Sequence, residues 1–125
     1  MSNRLLAVAV AAWTLVSWGG RIGLLTSAET DDPWALVRIG GSLVVGLATA
    51  GLLATRPGRA DWLRWLFVGW TVALWTRSVV VTWIDPPSLA FALVHTVLGA
   101  GWFLLAWWVA PRHERHRSSS APARP

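Results

Sequence analysis

Residues 34–54 read WALVRIGGSLVVGLATAGLLA and follow the pair Asp32-Pro33. Apart from Arg38 the run holds no charged side chain. A helix needs about 20 mostly apolar residues to cross the hydrocarbon core of a bilayer. The apolar residues follow one another instead of recurring at the spacing that buries a single face, so this helix is expected to meet apolar surroundings on all sides. At that depth no water is present to pair with the backbone, and the segment must close its hydrogen bonds internally.

Three further runs of similar character lie on either side: Leu5–Leu25, Trp62–Trp83 and Leu89–Ala110. The punctuation between them fits helix ends. Asp32-Pro33 supplies a capping acid and a proline in the first turn. Arg56-Pro57-Gly58 breaks the chain, and Asp61 is placed to cap the third helix. Asp85-Pro86-Pro87-Ser88 makes a tight turn that ends on a capping serine, and Pro111 stops the last helix. The expected fold is an all-α integral membrane protein with four transmembrane helices. Residues 1–110 form the membrane domain, and 111–125 form a basic, disordered tail.

Composition agrees. The chain has 125 residues, of which 54% are hydrophobic and 14% charged, and its mean hydropathy is +0.49. Soluble domains carry roughly 25% charged residues, so a soluble globular enzyme and a disordered chain are both excluded. There is no cysteine, which removes disulfides and thiolate chemistry. All 11 cationic residues are arginine, against 6 acidic residues. With abundant Ala, Gly, Val and Trp, this bias reads as the codon usage of a GC-rich bacterial genome. The arginines are scattered through apolar segments and their flanks without forming a basic helix face, which argues against a nucleic-acid partner.

Loop charge sets the expected orientation. The first loop carries Glu29, Asp31 and Asp32, and the third carries Asp85. Arg4, the middle-loop residues Arg56 and Arg59, and the tail residues Arg112, Arg115, Arg117 and Arg124 lie on the other side. Both termini are therefore expected in the cytoplasm of a multi-pass cell-membrane protein. The tail arginines are placed beside anionic lipid, at about 1 kcal/mol per cation. The first segment also has the basic start and the small-residue stretch Thr26-Ser27-Ala28 of a cleavable leader. Its length, Arg21 and a counterpart later in the chain favour a retained span.

That counterpart appears on shifting the chain by 57 positions, which aligns Trp13 with Trp70, Thr14 with Thr71, Trp18 with Trp75 and Arg38 with His95. Two tandem two-helix repeats of the same orientation are expected, related by an axis along the membrane normal. Arg21 aligns with Ser78 and not with Arg77. One position turns a helical side chain by about 100°, which counts against a symmetric site.

Ionisable groups at membrane depth cost about 2.5–3.5 kcal/mol for Arg at a helix centre on insertion scales, so each needs a reason. Arg21 and Arg38 lie roughly 6 Å from the outer helix ends, and Arg77 and His95 nearer about 10 Å. Snorkelling, or pairing with Glu29, Asp31 and Asp32, is the plain alternative for the shallower pair. A neutral, hydrogen-bonded interior histidine is the plain alternative for His95. Trp18 stands three residues before Arg21, a spacing that suits an indole–guanidinium contact. Trp75 stands two before Arg77 and would have to act between helices. Six tryptophans (34, 62, 65, 83, 107 and 108) fall near span ends as interfacial anchors. The other five fall inside, where core filling is the plain role.

Gly19-x3-Gly23 and Ser42-x3-Gly46-x3-Ala50-x3-Ala54 follow a small-residue pattern that lets helices approach closely, within the chain or between subunits. His113 and His116 in the tail lack the further ligands a metal site needs. No phosphate loop, zinc-binding helix motif or nucleophile elbow is present. The chain is read as a non-enzyme with no cofactor.

The functional expectation is a small, tryptophan-rich protein that binds or transports an anionic ligand, a lipid phosphate or small anion. The site is an outward-facing basic pocket made by Arg38, Arg77 and His95, with Arg21, Trp18 and Trp75 beside them. A non-catalytic subunit or assembly factor of a larger membrane complex is one alternative, and a phage-type pore former is another. Membrane lipids and a homo-oligomer or membrane-protein partner are the expected company.

Overall fold

The computed structural model describes residues 2–22, 32–56, 58–59 and 61–111. Glu29, Asp31, Gly23, Pro57, the stretch Thr26-Ser27-Ala28 and the tail with His113 and His116 lie outside the described residues. The described chain is all helical. Helix α1 (Asn3–Thr14) runs into a π-helical turn (Leu15–Gly19) and a last α turn (Gly20–Ile22). Three long helices follow: α2 (Pro33–Thr55), α3 (Asp61–Ile84) and α4 (Leu89–Val109).

These three helices are each long and apolar enough to cross a membrane. The first run differs from the uniform span expected over residues 5–25, because the turn at Leu15–Gly19 interrupts its α-helical bonding. A π turn takes one more residue per hydrogen-bonded turn than an α turn. Hydropathy does not report that difference.

The caps explain the helix starts. The Asp32 carboxylate accepts from the Trp34 backbone N–H at 3.0 Å, with Pro33 at the first helical position. Ser88 accepts from the Phe91 N–H at 3.1 Å, and Ser2 accepts from the Leu5 N–H. Asp61, expected as a cap, instead lies within the first turn of α3. Its carboxylate stands 3.7 Å from Arg64, while the Arg64 Nε donates to the Val109 carbonyl at 2.8 Å. Arg64 thereby satisfies one of the carbonyls left open at the end of α4.

The closest packing joins α1 to α2 and α3 to α4, as two hairpins. The hairpins meet where α2 lies against α3 and α1 against α4. In the first hairpin Thr14 fills the space over Gly46, and a Cβ there would lie 2.8 Å from the Thr14 Cγ2. In the second, Val79 and Trp75 lie over Gly99. Between hairpins, Trp70 rests on Gly41 and Trp13 on Gly101. Ser42, Gly46 and Ala50 of the small-residue run are buried within the chain, whereas Ala54 is exposed.

Indole N–H groups tie the hairpins together. Trp70 Nε1 donates to Ser42 Oγ at 3.0 Å, and Trp102 Nε1 donates to Ser17 Oγ at 3.2 Å. The tryptophans sort by position. Trp34, Trp62, Trp65, Trp83, Trp107 and Trp108 are all exposed, whereas Trp18, Trp75 and Trp102 are buried.

Candidate functional site

A cavity of about 390 Å³ opens at the end of the bundle where the first helical run finishes and α2 and α4 begin. Arg21, Arg38, Arg77 and His95 all line it, together with Trp18 and Trp75. Each helical run supplies one of the basic side chains. Its size falls in the lower part of the range of small-ligand sites, about 300–1,000 Å³.

Arg38 is half-buried, and its Nε is fully buried with no hydrogen-bond partner among the described residues. A buried donor left unpaired costs about 1–3 kcal/mol, and more on a charged group. Arg77 is exposed on the cavity side of α3. Arg21 sits with its guanidinium 5.8 Å from the centre of the Trp18 ring, the indole contact its spacing predicts. Trp75 makes no corresponding contact with Arg77 among the described residues. His95 is buried, with 8% of its surface exposed. Its Nδ1 lies 3.1 Å from the Phe91 carbonyl. A carbonyl only accepts, so Nδ1 carries the proton and Nε2 is the ring atom left for a ligand. The Phe91 ring lies against the imidazole with centroids 4.0 Å apart.

No carboxylate among the described residues lines the cavity. Among the described residues the one ion pair is Arg64 with Asp61, at the far end of the bundle. Asp32, a sequence candidate for pairing with Arg21 or Arg38, spends its side chain on the α2 cap. Its other candidates, Glu29 and Asp31, lie outside the described residues. No group of three His, Asp or Glu side chains among the described residues is placed to hold a metal.

The π turn bears on the register of Arg21. Arg21 stands seven residues beyond Thr14, and Arg77 six beyond Thr71. The Leu15–Gly19 turn takes up one residue more than an α turn and so offsets the register of Arg21 from that of an unbroken α-helix.

Aromatic side chains make the floor. Trp18 meets Trp75 edge-on at 6.0 Å, and Trp75 stacks on Trp102 at 6.1 Å and 22°. Beneath lies a second void of only about 10 Å³. Trp18, Trp70, Leu74 and Trp75 line both spaces and so form the partition between them.

Several lining residues carry no functional signal in the sequence. Trp34 reads there as an interfacial anchor, yet it stands at the cavity mouth with Val81 and Phe91. Ser17 and Thr82 also line the wall. A small hydroxyl residue in an apolar run gives no hint of the direction it faces. No protein family, curated protein or solved structure matches this chain.

Proposed function

We propose that the chain is a four-span membrane protein with cytoplasmic termini, and that its basic cavity binds a phosphate-type oxyanion from the extracytoplasmic side. One observation carries this reading: three guanidinium groups and an imidazole line a single cavity, with no carboxylate among the described residues of its walls. Guanidinium donors match phosphate oxygens in bidentate geometry, and such charge-assisted bonds are about twice as strong as neutral ones. The surrounding indoles exclude water and lower the local dielectric, which strengthens each of those contacts. The unpartnered Arg38 Nε supports the same reading, since a ligand oxygen supplies the acceptor it lacks.

The indole floor favours binding over open conduction. Passage to the other side requires Trp18 and Trp75 to part, and both are buried in contact with one another. An open pore former fits this arrangement less well than a binding protein.

Tryptophan fluorescence provides the test. Hexyl phosphate titrated into the purified full chain in maltoside detergent is expected to give saturable binding at one site. Arg38→Leu and Arg77→Leu each weaken it at least tenfold, in keeping with about 1.5–3 kcal/mol for a charge-assisted hydrogen bond. Arg64→Leu, which removes a cation far from the cavity, leaves it unchanged. Equal affinity in all four proteins contradicts the reading.

A further inference from the structure

We infer that the oxyanion is the head group of an amphiphile, held with its charge inside the cavity and its hydrocarbon chain leaving across an apolar rim. The inference rests on the anion site proposed above and names its ligand class. The motivating feature is the order of the chemistry from mouth to floor. Trp34, Val81 and Phe91 line the cavity and yet are exposed large hydrophobic residues. They lie within the first or last few residues of α2, α3 and α4, so they form an apolar side of the mouth, while Arg21 in the last turn of the first helical run stands on the remaining side. The cationic groups of Arg38 and Arg77 and the imidazole of His95 belong to positions further along those helices. At about 1.5 Å of rise per residue they start roughly 6–10 Å from the helix ends.

A free phosphate ion gains nothing from the indole and phenyl faces on this side of the mouth, which offer no hydrogen bond in return for its hydration. An amphiphile meets each zone with matching chemistry. Its phosphate reaches the guanidinium groups while its first methylenes lie on Phe91, Val81 and Trp34. The cavity volume of about 390 Å³ holds a head group and a short length of chain but not a whole lipid, so the remaining chain must pass the rim. In the proposed orientation the mouth lies at the level of the lipid head groups. The ligand then enters from the bilayer surface and not from bulk water.

The experiment is a chain-length series in equilibrium binding to the full chain: inorganic phosphate, methyl, butyl and hexyl phosphate, all below their aggregation limits. Each methylene buried from water contributes about 0.8 kcal/mol, or roughly fourfold in affinity. Hexyl phosphate is expected to bind at least tenfold more tightly than inorganic phosphate. Trp34→Ser combined with Phe91→Ser is expected to reduce that ratio at least threefold, and Phe91→Leu, which keeps an apolar rim, to retain most of it. Circular dichroism on each variant confirms that it is folded. If inorganic phosphate binds as tightly as hexyl phosphate, the amphiphile inference is overturned while the basic anion site stands. If neither binds, both readings fail. A hexyl advantage that survives the double rim variant overturns the assignment of the rim.

Discussion

Replacing Trp75 by leucine tests whether the indole floor organises the bundle. Trp75 is 5% exposed and touches three rings: Trp18 edge-on at 6.0 Å, Trp102 stacked at 6.1 Å and His95 at 6.5 Å. In a bilayer the transfer of apolar surface from water is not available as a driving force between helices, since lipid is as apolar as the core. What remains is packing and ring geometry. An aromatic pair contributes about 0.5–1.5 kcal/mol beyond its area, so losing the two indole pairs costs about 1–3 kcal/mol. The assay is unfolding of the purified chain in mixed micelles by added dodecyl sulfate, followed by helical circular dichroism. Trp107→Leu is the matched control, because Trp107 is 70% exposed and its loss falls within about 0.5 kcal/mol. If Trp75→Leu destabilises no more than Trp107→Leu, the floor is not a structural element and the partition drawn from it fails.

Further outcomes follow from the packing. Gly46→Ala forces a methyl against Thr14, and overpacking of about 1–3 kcal/mol outweighs a helix-propensity gain of about 1 kcal/mol. Gly40→Ala, which meets nothing within 4 Å, is neutral or stabilising in the same unfolding assay. Ser42→Ala removes the acceptor of the Trp70 indole N–H and is expected to cost about 0.6–1.7 kcal/mol, the measured range for interhelical hydrogen bonds in membrane helices. Ser42→Thr, which keeps the hydroxyl, is expected to recover part of that loss.

Much of the fold is legible because hydropathy and capping residues act locally. The expected spans 34–54, 62–83 and 89–110 fall within a residue of the helices Pro33–Thr55, Asp61–Ile84 and Leu89–Val109. Asp32 and Ser88 cap where their positions predict. The division of the tryptophans is legible for the same reason, since distance from a span end decides which indoles reach the surface. The π turn is not legible. Nothing in the residue types of Leu15–Gly19 distinguishes bonding to the fourth residue from bonding to the fifth. The six candidate residues all line one cavity, because rare polar groups in apolar helices have few favourable directions to face. The mouth residues Trp34, Val81 and Phe91 escape a sequence reading, since an apolar side chain at a span end looks the same whether it faces lipid or rims a cavity.

The most direct measurement is dipolar coupling between phosphorus and arginine side-chain nitrogen in the full chain, labelled with ¹⁵N-arginine, reconstituted in bilayers and loaded with hexyl phosphate. Arg38 and Arg77, assigned by their individual Leu variants, are expected to show couplings that match direct hydrogen bonds of about 2.7–2.9 Å from nitrogen to oxygen. Coupling confined to arginines other than Arg21, Arg38 and Arg77, or none at all, contradicts a phosphate held at the basic cavity.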